Sequence, residues 1–501
     1  MTGRLTPTST RRLITPFLAA FALVSALVVA GAGPARADGS DALWIAAPYE
    51  LALLGADANG DAPTRTLNID ISHDNTDMVV PGGTLTVDVT ELAGLAEITW
   101  PANCTERTGG TGQDRTVTGE CAFPGLSTND HVHGAEIGIT ATSAAVEGTV
   151  ATIRSTAVAG DLTAYPAETA VTVRNGPDLG LGQAPNRHGV RPGTRVDVPV
   201  TLANNGNRTA DRTLLTLFAS HGLDFASRYG NCGYLDENPP ATPVGTWALC
   251  VLDEPIAPGR TFSLDAGALR TKKSVLYDRF DYAAEPYSDE ALEQARAGRP
   301  FVRGGGADLD PRPAAAPARA GLAGAVGGAA ADSVADAVDE ADVDTSDNYR
   351  SMLINAINTA DLKLIGGEVE GAAGETVTAS VTVKNRGPAW VASLGAGEPV
   401  ATVDFTVPRG TAVTAKPEEC YALDASGAWQ EEQLGAPRYR CSTPVFLHER
   451  ASHTFPFSLR VDRVVPGARG KAVTLNDRPD LRISDFDPNL ANNKAFVVVN
   501  G

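Results

Sequence analysis

Outside residues 1–37 the chain has no apolar run approaching the ~20 residues of a membrane-spanning helix, which excludes an inserted helical membrane protein for the mature chain. It contains no Cys-x-x-Cys, so its cysteines form no close-set metal knuckle. G-x-S-x-G, a phosphate-binding P-loop and a dinucleotide fingerprint are also missing, which removes the local signatures of three large enzyme classes. Helical periodicity is nearly absent, so a fold built from amphipathic helices is excluded. Positive charge is scarce: 41 Lys and Arg face 60 Asp and Glu, for a formal charge of −19. Such a surface repels nucleic acid and anionic membranes, so neither is expected as a partner.

What is present begins with an export signal. Arg11 and Arg12 precede an apolar core from Phe17 to Ala30, and Ala35-Arg36-Ala37 supplies the small-x-small cleavage pattern before Asp38. Removing residues 1–37 takes away four arginines and no acids, which moves the formal charge from −19 to −23. The mature chain of roughly 460 residues has room for about three domains, each with its own core.

Six cysteines fall into three close pairs separated by long gaps: Cys104 and Cys121, Cys232 and Cys250, Cys420 and Cys441. Six cysteines allow fifteen connectivities, and the clustering favours the three local ones. In an oxidising compartment each closed loop contributes on the order of 3 kcal/mol by constraining the unfolded chain.

A strand pattern repeats with them. In PGTRVDVPVTLANNG (192–206) and AGETVTASVTVKNRG (373–387), Gly193, Asn204 and Gly206 match Gly374, Asn385 and Gly387 at a constant offset. Between them Val196, Val198, Val200 and Leu202 alternate as Val377, Ala379, Val381 and Val383 do, the mark of a half-buried strand between turns. PGGTLTVDVTEL (81–92) reads as a weaker copy, and Pro199, lacking a ladder N–H, places its strand at a sheet edge. After each cysteine pair come further alternating runs, at Ile137 and Ile139, Phe262 and Leu264, and Phe455, Phe457 and Leu459. Short strands with turns every ten or so residues specify antiparallel sandwiches with one wet face per sheet.

The expected organisation is all-β, with three tandem immunoglobulin-like sandwiches, each holding one local disulfide. They follow a signal peptide (1–37) as domain 1 (38–175, divergent), domain 2 (176–358) and domain 3 (359–501). Domain 2 carries an insertion at about 274–349: a Tyr/Asp-rich piece, a Pro/Ala/Gly piece, and residues 331–349 with seven acids and no base. Composition this poor in buriable surface predicts a largely disordered, self-repelling linker. Because DNYRSMLINAIN resembles DPNLANNKAFVVV, the chain is expected to return after the insertion and complete the last strand of domain 2. The closing run Ala495–Val499 is apolar on both faces and reads as a covered strand, with no anchor after it.

Asp-Leu at a unit's start (Asp178-Leu179, Asp361-Leu362), alternating valines before Asn-x-Gly, a cysteine pair, and D-x-D-P-N-x-x-N-N near the end carry a resemblance. They are similar to the immunoglobulin-like conserved repeat domains of bacterial surface and secreted proteins, and to the neighbouring cell-adhesion-related bacterial domain. The high Ala, Gly, Val, Thr and Pro content, with three Met, likewise resembles an exported protein of a high-GC bacterium. The resemblance covers 178–272 with 345–358 and 361–499 well, and 43–175 poorly. It implies a non-catalytic spacer, stalk or adhesion module, and it supplies no functional residues. It also departs from the usual pattern, in which a sorting signal or membrane helix follows.

Candidate chemistry is sparse. Asp130-His131-Val132-His133 puts two imidazoles on one strand face, without a visible third ligand. His448-Glu449 begins like H-E-x-x-H, but Ser452 stands where the second His belongs. Asp57, Asn59 and Asp61 begin like a calcium loop that Ala62 and Asn68 then break. Trp247, three residues before Cys250, is expected to cover that disulfide. Trp390 and Trp429 fall in expected loops and are the candidate ligand-stacking residues. The expectation is therefore a secreted, non-enzymatic scaffold, spacer or adhesion element, possessing no cofactor or metal and engaging an unidentified protein or cell-wall polysaccharide. The alternatives are a carbohydrate-binding protein and a hydrolase with a dispersed site.

Overall fold

A computed structural model of the chain describes residues 42–56, 62–73, 79–127, 131–236, 245–264, 268–314, 341–394, 397–475 and 482–501. The export segment, the Asp57–Asp61 loop and most of the Pro/Ala/Gly piece lie outside the described residues.

Alternating apolar positions become three β-sandwiches. In the first, the sheet ordered Leu43–Ala46, Thr64–His73, His131–Ala141, Ala96–Thr99 packs on one running Glu50–Leu54, Ala167–Arg174, Val150–Ala159, Gly83–Asp88, Thr116–Phe123, Cys104–Gly109. Leu67, Ile69, Ile71, Ile137 and Ile139 from one sheet meet Leu85, Val87, Ile153, Val171 and Val173 from the other. The third sandwich repeats this plan: Leu362–Ile365, Thr376–Asn385, Ser452–Val461, Thr411–Ala415 face Glu368–Val369, Lys494–Val499, Ala468–Leu475, Thr402–Thr406, Arg438–Ser442, Cys420–Leu423. The second has the same two-sheet plan around its own core, with strands added at the sheet edges and a small third sheet of Arg195–Val196, Leu269–Thr271 and Leu223–Phe225. In every unit an early strand pairs in parallel with the unit's last strand, closing the large sheet.

The three disulfides are the local ones, Cys104–Cys121, Cys232–Cys250 and Cys420–Cys441, and no described cysteine is free. Each joins directly opposed positions of neighbouring antiparallel strands, at the same place in each large sheet. This shared placement ties the divergent first unit to the other two.

Four expectations need correcting. Gly83–Asp88 is not the counterpart of the 192–206 and 373–387 strands; it holds the place of Thr402–Thr406, while Thr64–His73 holds the place of Thr376–Asn385. Alternating Val and Thr occur in both kinds of strand, and only the Asn-x-Gly turn distinguishes them. Pro199 does not mark an edge strand. Val200–Asn204 lies between Leu179–Leu181 and Thr261–Leu264, and Pro199 avoids the ladder because the chain there passes from the short strand Arg195–Val196 into a second sheet.

The insertion is also smaller than expected. Tyr277–Pro286 is an interior strand between Thr213–Ser220 and Tyr349–Ala356, with Phe280, Tyr282 and Ala284 in the core. The added material begins only after it. Helix Asp289–Arg296 starts on Ser288, whose Oγ accepts the Ala291 N–H, and its acids occupy the first turn as the helix dipole favours. Val302–Arg303 and Arg312–Pro313 then extend the two sheets. From 341 onward the acidic piece packs against domain 2, burying Val343, Asp347 and Asn348. The chain does return to complete the unit, through Tyr349–Ala356.

The closing strand Lys494–Val499 sends Val497 and Val499 into the third core, as expected. Its other face is open: Phe496 is 45% exposed and lies under the Arg469 guanidinium at 5.9 Å. Apolar residues on an outer face therefore did not signal a covered strand.

Candidate functional sites at the domain junctions

The repeated Asn-x-Gly motif builds the start of domains 2 and 3. Asn204 is fully buried; its Oδ1 accepts the N–H groups of Asp178 (3.0 Å) and Gly206 (2.9 Å), and its Nδ2 donates to the carbonyls of Arg208 and Ile256. Asn385 does the same for Asp361 and Gly387, donating to Ala389 and His448. Glycine is required after it because a Cβ on Gly206 would stand 2.3 Å from the Gly176 carbonyl oxygen, and one on Gly387 2.6 Å from Ala360 Cα. The Asp-Leu pair is fixed from its other side by a late aspartate: Asp342 Oδ2 accepts the Leu179 N–H at 2.9 Å, and Asp487 Oδ2 accepts the Leu362 N–H at 3.0 Å.

The two copies differ in charge. In domain 3, Asn492 Nδ2 donates to Asp361 Oδ1 at 2.8 Å. Domain 2 has Asp347 in that place, beside Asp178, Asp342 and Asp344. Domain 1 supplies one guanidinium: Arg65 Nη2 meets Asp178 Oδ2 at 2.6 Å, and this pair crosses the junction. Asn207 adds a second crossing by donating to the Gly55 carbonyl and to Asn175 Oδ1. Burial is the main cause that raises Asp178, against the opposing pull of Arg65. Burial also pushes Asp342 up to about 8, and burial with the Asp178 charge pushes Asp347 up to about 7. Asp178 Oδ1 and Asp347 Oδ1 are buried without a hydrogen-bond partner.

The junction of domains 2 and 3 is organised around Asp278, which is buried at the start of the strand Tyr277–Pro286. Its carboxylate accepts four donors: Ser220 Oγ at 2.5 Å, the Gly222 N–H at 2.8 Å, the Leu276 N–H at 3.0 Å and the Trp390 indole at 3.1 Å. Burial raises its pKa and these hydrogen bonds oppose the rise. Trp390 belongs to domain 3 and is fully buried, its backbone N–H donating to Ser274 of domain 2. It therefore offers no face to a ligand. Around it Leu276 joins the third core, Tyr277 packs edge-on against Phe486, and Arg279 Nη1 donates to the Leu394 carbonyl at 2.7 Å.

Beside Trp390 the fold gathers three groups that are dispersed in sequence. His221 follows the strand Thr213–Ser220 of domain 2, whereas His448 and Glu449 follow Phe446–Leu447 of domain 3. The His221 ring lies 5.1 Å from Trp390 and 4.5 Å from the His448 ring, which stacks on Trp390 at 5.8 Å. His221 Nε2 is 3.1 Å from Glu449 Oε2. One ligand atom from each residue lies within 4.8 Å of the other two, the only such group among the described residues.

The other candidates stay apart. Trp429 is 64% exposed on a turn that bridges back to Leu423. Trp247 faces away from Cys250; it packs on Phe218 at 4.7 Å with the Arg299 guanidinium above it, because residues three apart on a strand point to opposite faces. His133 Nδ1 contacts Asp70 at 3.0 Å on an exposed face. An exposed pair that the sequence did not single out is Trp44 and Tyr165, with ring centroids 5.9 Å apart.

No protein-family model matches the chain. No curated protein matches it either. Solved structures do. A cohesin from Acetivibrio cellulolyticus scaffoldin B, solved with a dockerin, is 15% identical and covers 27% of this chain and 99% of its own, at a TM-score of 0.18. The Escherichia coli adhesin FdeC is 11% identical over 92% of this chain and 97% of its own, at a TM-score of 0.18. The Dpr2 complex with DIP-Theta, built of immunoglobulin domains, is 8% identical over 91% of this chain and 99% of its own, at 0.20. At these identities and TM-scores the functions of those proteins do not transfer.

Proposed function

We propose that this is an extracellular, non-catalytic modular protein whose three sandwiches act as a scaffold, spacer or adhesion element for a protein or cell-wall polysaccharide partner. The observation that carries the reading is the bonded junction. Trp390 of domain 3 is sealed against Asp278 of domain 2, which suits an element that holds a set distance rather than one that flexes. Three intradomain disulfides using all six cysteines support an oxidising location. The export signal expected at 1–37 agrees with that location.

Paired spin labels on the outer sheets of domains 2 and 3 test the reading. A narrow distance distribution in the wild type that broadens in Trp390→Ala supports a spacer; a broad wild-type distribution overturns it. A second reading, carbohydrate binding, is favoured by the exposed Trp44–Tyr165 pair, since sugars bind on such aromatic faces. Polysaccharide titration should then quench tryptophan fluorescence in the wild type and not in Trp44→Ala. No quenching in the wild type removes this reading, and equal quenching in both moves the sugar platform away from Trp44.

A further inference from the structure

We propose that His221, His448 and Glu449 form a binding site for a zinc-class divalent cation that bridges domains 2 and 3. The inference goes beyond the scaffold reading and stands or falls without it. Two imidazoles and one carboxylate are the donor set that borderline cations prefer, whereas calcium and magnesium take oxygen ligands. Tetrahedral ligands held about 2.0–2.2 Å from a metal stand roughly 3.3 Å from one another. His221 Nε2 and Glu449 Oε2, 3.1 Å apart, already have that separation. The third ligand atom lies within 4.8 Å of both, a distance that small side-chain rotations close.

The surroundings fit the same chemistry. His448 is partly exposed, but its Nδ1 is buried with no hydrogen-bond partner, so that ring nitrogen has been taken out of water without compensation from the protein. Burial first, and then the neighbouring His221, push the His448 pKa below the usual imidazole range, which leaves its ring neutral and able to coordinate near neutral pH. Burial tends to raise the Glu449 carboxyl, but its hydrogen bond with His221 outweighs that and holds it below the usual carboxylate range. Trp390 and Phe446 enclose the His448 ring on its flanks and supply the apolar surround that strengthens coordination. Three protein ligands leave the fourth tetrahedral position to water. Because one ligand comes from domain 2 and two from domain 3, the ion would bind only the assembled junction.

Titration of the untagged, disulfide-intact full chain with Zn²⁺, and with Co²⁺ as a visible probe of tetrahedral coordination, tests the site. The expected result is one ion per chain, with a Co²⁺ spectrum of mixed nitrogen and oxygen ligation. Affinity should fall at least about tenfold in each of His221→Ala, His448→Gln and Glu449→Gln, and stay unchanged in His133→Ala. Far-UV circular dichroism and unreduced peptide mapping confirm that each variant folds; the near-isosteric Gln variants keep the test valid if His221→Ala does not. Absence of saturable binding in the wild type, leaving only a His221–Glu449 ion pair, overturns the proposal. So does binding that survives both Gln variants or disappears in His133→Ala.

Discussion

Replacing Asp347 with Asn should stabilise domain 2, and only when the solution is not acidic. Asp347 lies beside Asp178, Asp342 and Asp344 at the first junction, and its folded pKa is raised from 3.8 to about 7. The folded state therefore holds a proton that the unfolded state releases. Stability from this source is complete below about pH 4, drains away as pH rises, and is fully lost above about pH 7. Each pH unit in that window costs about 1.4 kcal/mol, so ionised Asp347 costs up to about 4 kcal/mol at pH 8, and nearer 2 if Asp342 shares the burden. Asn at this position carries no charge, and its amide can supply Asp178 with the donor that Asn492 gives Asp361 in domain 3. The Leu181 N–H donates to the Asp347 carbonyl and the Ala284 N–H to that of Asn348, so these two amides report local opening. Hydrogen exchange in EDTA, corrected for intrinsic rate, should show protection in Asp347→Asn about 30-fold to 1,000-fold above wild type at pH 8. At pH 4 the two proteins should agree. A difference independent of pH, or lower protection in the variant at pH 8, refutes the reasoning.

Trp390→Phe keeps an aromatic ring but gives up the pyrrole half of the indole and with it one of four donors to buried Asp278; it should cost about 1–3 kcal/mol in urea unfolding, and a cost under about 0.5 kcal/mol would contradict that bonded junction. Unreduced peptide mapping should return only Cys104–Cys121, Cys232–Cys250 and Cys420–Cys441, and removing the 18-residue Cys232–Cys250 loop by double alanine substitution should cost about 3 kcal/mol. Brief chymotrypsin digestion of the native protein should spare the bonds after Phe280 and Tyr282, which lie in an interior strand; early cutting there would return that segment to the insertion.

The sandwich class and the disulfides were legible because both are written locally, one as alternation and the other as close cysteine spacing. Asn204 and Asn385 were visible as a repeat, but their role was not: their partners Asp178 and Asp361 lie well upstream, and a turn reading accounts for Asn-x-Gly equally well. Tyr277–Pro286 was misread because Asp278 and Asp281 interrupt the apolar pattern, and a sequence gives no sign that an aspartate will find donors to bury it. Trp390 looked like a loop residue for the complementary reason, since its partner Asp278 belongs to another domain. The His–His–Glu group was hidden by distance. His448-Glu449 was weighed against a motif that needs its second histidine three residues on from Glu449, whereas the structure supplies one 228 residues before it.

Asp278 also has a bearing on the order in which the molecule is made. Three of its donors come from domain 2 and emerge with it, but the fourth, Trp390, is synthesised over a hundred residues later. A nascent chain that has finished domain 2 thus carries a carboxylate with an unfilled position, hydrated until domain 3 arrives. Folding of the middle domain is completed by its successor, so the newest part of the chain consolidates the part before it, and assembly acquires a direction from the N-terminus to the C-terminus.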